Sequence, residues 1–382
     1  TKPVELVVFS LWGGSEEENF LKALEAFTKK TGIKVKHVHQ TTEGLKIGLP
    51  SQFAAGRCVA DVVIVPWPAD IRSWAKEGHL VDLTGLIDES KYPKDFVEMV
   101  KVNGRLYAAP FKMWSKPGFW YRKSFFEKHG LTPPKTWSEF LDLLEKLKKI
   151  EGVEAPIASG DGVGWPLSDM AEAFIINRGS PDLQNKLIAG EITFTDPAVR
   201  KCFEELADLL KKGYFSEPDE WTAQIDKLWE GKYGIYFMGC WMTVMPQVKD
   251  VNDLGFFPFP EAKGVVAGGD WVVIPKYTEH LKEAKMLLKF LAGAEAQEIM
   301  VRQGGFLATN FDVPAEAYKP ADKAVVDFMK TVSVVADLDD AIGGEFQLKF
   351  WDQLKLLWVE PEALDDVLKT ISEAQMATLK GG

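Results

Sequence analysis

Residues 102–145 read VNGRLYAAPFKMWSKPGFWYRKSFFEKHGLTPPKTWSEFLDLLE. Asn103-Gly104 suits a two-residue hairpin turn, because both positions tolerate positive φ, so two short strands are expected to meet there. Pro110, which has no N–H to donate, is expected to stop the second of them. Phe119-Trp120-Tyr121 then starts a further strand beyond a polar, aromatic-rich gap. Thr136 with Glu139 spells a capping box, and Phe140, Leu143, Leu144 and Leu147 recur on one helical face. A hairpin, a proline, an aromatic strand and a capped helix in this order predict a joint between two lobes.

Working outward to the N-terminal side, residues 4–9 form an apolar run of buried-strand length that ends in the loop Ser10-Leu11-Trp12-Gly13-Gly14. Ser15 and Glu18 are expected to cap the following helix, with Glu16 to Glu18 placing negative charge at its positive end and Gly32 ending it. Residues 33–38 alternate in character, and residues 61–65 form a third strand whose apolar run after Asp61 is that of a parallel strand buried on both faces. The result is βαβαβ, an open α/β lobe. Ligands of such sheets lie beyond the C-terminal strand ends, which puts Trp12, residues 40–43 and residues 67–70 on one rim.

On the C-terminal side the second lobe is expected to hold helices over 137–149 and 197–212 and a strand over 233–238, which Gly239-Cys240-Trp241 closes before a helix. Gly268-Gly269-Asp270 is expected to lead into a strand over 271–275. Helices over 279–291 and 294–303 follow, and the remainder is helical, including a helix opened by Pro361. There is no internal repeat and no low-complexity segment.

The chain has 382 residues and 46% hydrophobic content, enough for two cores. No apolar run reaches the roughly 18 residues of a membrane span, and the N-terminus carries no signal-peptide pattern, so a mature or trimmed chain is expected. A net charge of −11 argues against nucleic acid or an anionic membrane surface as partner. Cys58, Cys202 and Cys240 are far apart and make no CxxC motif, which supports neither a disulfide framework nor a zinc site. His37 and His39 share one face of a strand, but nothing near them in sequence completes a metal site. No metal or cofactor is expected. The many Glu and Lys residues on helix faces read as solvated surface, with a hint of a thermophilic source.

Laid out in order, ELVVFSLWGG, TGIKV, ADVVIVPWPADIRSWAKEGHLVDL, NGRLYAAPF, WYRKSFFEKHGLTPPKTWSEFL, YFMGCW and GGDWVVIP with KEAKMLLKFLAGAEAQEIM span nearly the whole chain. Together they resemble the maltose-binding-protein-like family, the extracellular solute-binding proteins of sugar ABC transporters. The resemblance implies a two-lobed α/β periplasmic-binding-protein-like fold of type II. Its three inter-lobe crossovers would fall near 109–112, 258–262 and 310–315, with the ligand cleft between the lobes. The N-terminal lobe would comprise residues 1–110 plus 261–312, and the C-terminal lobe 111–260 plus 313–382. It further implies a monomer at the periplasmic or extracellular face of the membrane, lipid- or stalk-anchored in the precursor. Hinge closure on a sugar would be followed by transient docking on an ABC permease.

A neutral sugar offers hydroxyls that donate and accept, together with an apolar face of C–H groups, so its site needs polar side chains around flat aromatics. The expected aromatics are Trp12, Trp67, Trp114, Trp165, Trp241 and Trp271. The expected polar groups are Glu18, Glu43, Asp70, Lys112, Asp161 and Asp270, with Glu345 from the diffuse C-terminal stretch. Gly268 and Gly269 would let backbone amides approach the ligand. Trp165-Pro166-Leu167 resembles the equivalent segment of maltose-binding protein. Trp137, Trp351 and Trp358, inside helical patterns, are assigned to packing. The cargo is expected to be a glucose-like monosaccharide or a short oligosaccharide. The alternatives are a polyamine, a peptide or glycerol phosphate on the same fold, or a glycoside-processing enzyme using an acid pair from among Asp337, Asp339 and Asp340.

Overall fold

In the computed structural model, which describes residues 2–161 and 164–381, Asn103 and Gly104 take φ of 52° and 75° and join Lys101–Val102 to Arg105–Leu106. Two successive positive φ values define the type I′ turn that the dipeptide calls for. Pro110, by contrast, does not end a strand. It is the second residue of the strand Ala109–Lys116, and a proline is tolerated at a strand's start, where its missing N–H disturbs the ladder least.

The chain divides into two compact units, Thr1–Trp114 with Gly268–Lys319, and Ser115–Ala267 with Pro320–Gly382. The sheet of the first unit has the strand order Leu307–Ala308, Ala109–Lys116, Gly264–Val273, Val62–Val65, Glu5–Ser10 and Lys34–His39, of which residues 115–116 and 264–267 belong to the second unit. Glu5–Ser10 runs parallel to both Lys34–His39 and Val62–Val65. The helix Gly14–Thr31 returns the chain between the first two of these strands and buries Phe20, Ala23, Leu24 and Phe27. Its start differs from expectation. Gly13 is the N-cap, no side chain caps the helix, and Ser15 already lies inside it. Glu16 and Glu17 in the first turn still complement the dipole, and Gly32 closes the helix at φ 78° with its N–H on the Thr28 carbonyl.

The second unit is built on the sheet Leu254–Pro258, Gly118–Arg122, Tyr233–Met238 and Ala155–Ala158. Gly118–Arg122 is antiparallel to both of its neighbours. Thr136 accepts the Glu139 N–H at 3.1 Å, while the Glu139 carboxylate takes the Lys135 N–H at 3.0 Å. This capping box, displaced by one residue, opens the helix Trp137–Lys148, whose buried positions are Phe140, Leu143, Leu144 and Leu147. These four join one core with Phe119, Ile235, Phe237 and Phe257 of the sheet. At about 1.5–3 kcal/mol for each buried side chain, that face outweighs anything the helix gains from its own propensity.

Gly268 and Gly269 do not precede a strand but lie inside Gly264–Val273. The first residues of that strand, Gly264 to Val266, pair with Ser333–Val335 in the second unit. Among the described residues no helix is long and apolar enough to cross a membrane, and Cys58, Cys202 and Cys240 form no disulfide.

Candidate functional site

Three tryptophans meet in the second unit. Trp165 opens the helix Trp165–Phe174, Trp221 opens Trp221–Trp229, and Trp241 sits in the short turn Cys240–Val244 just past the strand Tyr233–Met238. The Trp165 ring lies 5.3 Å from Trp221 at 61° and 5.7 Å from Trp241 at 72°. All three are half-buried, so part of each ring stays open to solvent. Edge-to-face packing fixes the rings and leaves flat apolar surface beside polar edges.

The local sequence explains how each ring is held. Gly239 is required because a Cβ there would fall 2.2 Å from the Trp241 ring. The Tyr236 hydroxyl donates to the Trp221 carbonyl at 3.0 Å, and the Glu220 carboxylate caps the Trp221 helix by accepting the Ala223 N–H at 2.8 Å. Asp161 lies next to the Trp221 segment because Gly160–Asp161 pairs with Asp219–Glu220, and the Lys355 ammonium is 3.9 Å from its carboxylate. The loop residues Gly162 and Val163, within the stretch that resembles a family binding loop, lie outside the described residues. Sequence reading missed Trp221, although its signal was present: an acidic N-cap directly before a tryptophan that opens a helix.

The first unit carries a different face. Trp12 is largely packed, 5.1 Å from Phe20 and 5.8 Å from Phe111. The Lys112 ammonium stands 5.8 Å from its ring centroid and 3.7 Å from the Glu16 carboxylate. Burial pushes the Asp270 carboxyl up to about 6, with Lys112 opposing the shift. Lys46 lies 4.4 Å over the Trp67 ring and 3.0 Å from Asp70. Glu43 is exposed, just before the turn Gly44–Gly48.

Several expected ligand residues take other roles. Trp271 is 1% exposed and donates its indole N–H to the Phe96 carbonyl at 2.9 Å. It is a core residue, because the alternation of its strand turns it inward. A Cβ on Gly268 would fall 2.3 Å from the Trp114 ring, and one on Gly269 would fall 2.5 Å from the Lys112 carbonyl oxygen. Close internal packing therefore requires glycine at both positions. Trp114 is half-buried over Gly268. Glu18 is exposed on its helix, and it is Glu16 that reaches Lys112. Glu345 is an exposed first-turn residue of Gly344–Val359, where a carboxylate suits the helix dipole, while its neighbour Phe346 is in the core.

The family model described as bacterial extracellular solute-binding protein matches residues 13–298. The chain belongs to that family. An uncharacterised ABC transporter extracellular-binding protein of Pyrococcus horikoshii is 49% identical over 373 residues, covering 97% of this chain and 88% of its own length. The alpha-glucosides-binding periplasmic protein of Rhizobium meliloti is 26% identical over 348 residues, 82% of this chain and 74% of its own. Among solved structures, the bacterial solute receptor AcbH, described as preferring β-D-galactopyranose, aligns with a TM-score of 0.84 at 19% identity over 98% of this chain and 99% of its own. That likeness shows the shared two-lobed α/β fold. Membership makes the chain a transport component rather than an enzyme and places its family outside the cytoplasmic membrane.

In this solute-binding protein the acids near the C-terminus are not a surface pair. The Lys116 ammonium bonds both Asp169 and Asp337. Glu172 accepts from the Leu338 N–H at 2.6 Å and from Gln184 at 3.0 Å, and Asp339 accepts from the Trp351 indole at 2.7 Å. Burial pushes the carboxyls up, Asp169 to about 7 and Asp339 to about 8, and it holds Glu172 well above its ordinary value. Burial acts the same way on Asp337, but Lys116 overrides it and holds that group below the usual carboxylate range. Burial also works against the ammonium, yet Asp169 and Asp337 keep it charged well above its ordinary value. Carboxylate oxygens of Asp169, Glu172 and Asp337 approach within 4.8 Å of one another, the spacing of a cation site, but the lysine already supplies the positive charge. Asp337 and Asp339 are 6% and 2% exposed, too closed to flank a glycosidic bond. Neither Lys116 nor Asp169 was singled out from sequence, because nothing local marks two residues that meet only in the fold.

Proposed function

We propose that this chain captures a neutral carbohydrate and hands it, unchanged, to the membrane permease of an ABC importer. The observation that carries the reading is the group Trp165, Trp221 and Trp241, three partly open indoles in edge-to-face contacts with Asp161 beside them. Flat apolar faces next to carboxylates match a pyranose, which presents C–H groups on its faces and hydroxyls around its rim. On the first unit, Trp12, Lys112 and Asp270 form a second, more polar face of the same chemistry. The relatives' names support the sugar class, since one binds alpha-glucosides and a structural neighbour prefers a galactopyranose. The cargo we favour is glucose-like or a short oligosaccharide, bound by a monomer, and the net charge of −11 speaks against nucleic acid.

A thermal-shift panel of neutral mono-, di- and trisaccharides, with spermidine, a short peptide and glycerol phosphate alongside, tests this. A ligand at 100 times its Kd stabilises by about 2.7 kcal/mol, or roughly 5–10 °C for a domain of this size class. The expected result is a rise with a sugar that Trp165→Ala and Trp241→Ala each remove. A rise only with spermidine, peptide or glycerol phosphate would overturn the carbohydrate reading.

A further inference from the structure

Ser10, His37 and Glu17 are joined in a row within the first unit. The Ser10 hydroxyl is 2.6 Å from His37 Nε2, His37 Nδ1 is 2.8 Å from the Glu17 carboxylate, and the Trp12 backbone N–H donates to Ser10 Oγ at 3.1 Å. The strands impose the arrangement. Glu5–Ser10 and Lys34–His39 lie parallel with Val8 opposite His37, while Glu17 hangs from the first turn of the helix that connects them. The Phe20 ring meets the imidazole edge-on at 5.3 Å, and the His39 ring lies 3.0 Å from where a Gly13 Cβ would be. Ser10 therefore ties the Trp12 backbone to His37, and His39 leaves no room for a side chain at Gly13.

Nucleophile, base and carboxylate in this order have the geometry of a hydrolytic triad. Burial excludes that use: Ser10 is 1% exposed and the His37 side chain has no exposed surface. The serine oxygen is also committed to the Trp12 N–H, so a carbonyl carbon cannot reach it.

We propose that Glu17, His37 and Ser10 are positioning residues for the Trp12 loop, and that they hold it most firmly while His37 is neutral. The functional consequence rests on the carbohydrate reading above, with Trp12 as part of the first unit's face. The argument is one of donors and acceptors. With neutral His37, Nδ1–H donates to Glu17, Nε2 accepts the Ser10 hydroxyl proton, and Ser10 Oγ accepts the Trp12 N–H, so every group is satisfied. Protonation puts a second N–H at Nε2, directed at Ser10 Oγ. The serine proton then loses its acceptor inside a closed environment, where an unmade hydrogen bond is costly. The groups that act on the imidazole charge agree. Burial lowers the His37 pKa below 6.5 and His39 on the same strand adds to this, while Glu17 on the helix opposes. The neutral form is thus the one in which every group of the row is satisfied, and acid weakens the row by leaving the serine proton without an acceptor. Glu17 and His37 touch no ligand; they act through Ser10 on Trp12.

The test uses the isotopically labelled full chain without sugar, following the His37 ring proton and the Trp12 backbone amide by NMR from pH 4.5 to 8. The expected result is a His37 midpoint below 6.5 with the Trp12 amide moving at the same midpoint. Ser10→Ala should uncouple the two. His37→Gln, whose amide can accept the serine proton but cannot titrate, should keep the Trp12 amide at its neutral position throughout. A Trp12 amide indifferent to pH, or one that still follows His37 in Ser10→Ala, would overturn the relay.

A second arm measures maltose and glucose binding by calorimetry over the same pH range. Loss of one buried hydrogen bond corresponds to roughly five- to tenfold weaker binding below the His37 midpoint, absent in His37→Gln. Identical pH profiles in the two proteins would overturn the functional half of the proposal. If neither sugar binds at any pH, that counts against the carbohydrate reading alone, because the sugar-free NMR result still decides the relay.

Discussion

Lys116→Met keeps most of the side-chain stem and removes the ammonium shared by Asp169 and Asp337, whose side chains are essentially closed to water. Breaking a buried ion pair from one side costs about 3–5 kcal/mol, because the remaining charge stays buried without a counter-charge. The cost should depend on pH, and its sign follows from the carboxyl shifts. Burial raises Asp169 from 3.8 to about 7 and Asp339 from 3.8 to about 8. In the folded state these acids keep protons that the unfolded chain has already released. Their stabilising contribution is complete below about pH 4 and is lost as pH rises through 7 to 8. Without the ammonium they must keep protons to still higher pH, which steepens the fall by up to about 1.4 kcal/mol per pH unit for each extra proton held. The expected loss is about 3–5 kcal/mol at pH 8 and no more than about half of that at pH 5. For a domain of 150–250 residues this is roughly 6–20 °C in Tm at the higher pH. Urea titrations of both proteins at pH 5 and 8, checked by calorimetry, read the difference. A loss under about 1 kcal/mol at pH 8, or equal losses at both pH values, would refute the view that Lys116 is the cluster's essential counter-charge.

Other expectations follow from local geometry. Thr136→Ala removes the side-chain oxygen that accepts the Glu139 N–H and should lower stability by about 1 kcal/mol, measured by denaturant unfolding with unchanged m. Gly118→Ala places a methyl 2.5 Å from the Phe257 carbonyl oxygen and 2.8 Å from Pro258 Cα, both backbone atoms that cannot rotate away. It should cost about 1–3 kcal/mol in the same assay, and a neutral result would mean that the strand pair separates more readily than its ladder suggests.

The candidate site divides by the kind of information each residue needs. Trp241, at the end of a strand, and Trp165, beside a proline that starts a helix, stand out in the sequence because strand ends and helix starts are local events. Trp221 had an equally local signal in its acidic cap, but a single sequence does not say that its helix packs beside the other two. Trp271 shows the reverse error: a tryptophan after two glycines reads as a rim residue, and only the sheet register shows that it points at Phe96. Nothing local explains why Gly268 and Gly269 must be glycine, because the atoms that fill the place of their missing side chains come from residues more than 150 positions away.

The sequence alone determined the features whose causes lie within a few residues: the hairpin at Asn103-Gly104, the capped helix from Trp137, the apolar parallel strands, and the α/β class that follows from them. Short-range φ preferences, caps and periodicity mark these elements locally, even where burial of an apolar face supplies most of their stability. The tertiary structure decided what depends on contacts between distant segments. It placed Ser15 inside its helix, carried Pro110 through a strand, buried four carboxyl groups around Lys116, and joined Ser10, His37 and Glu17 in one row. A charge, a donor or an indole takes its role from what desolvates or pairs with it, and those partners come from strands and helices that the chain brings together only on folding.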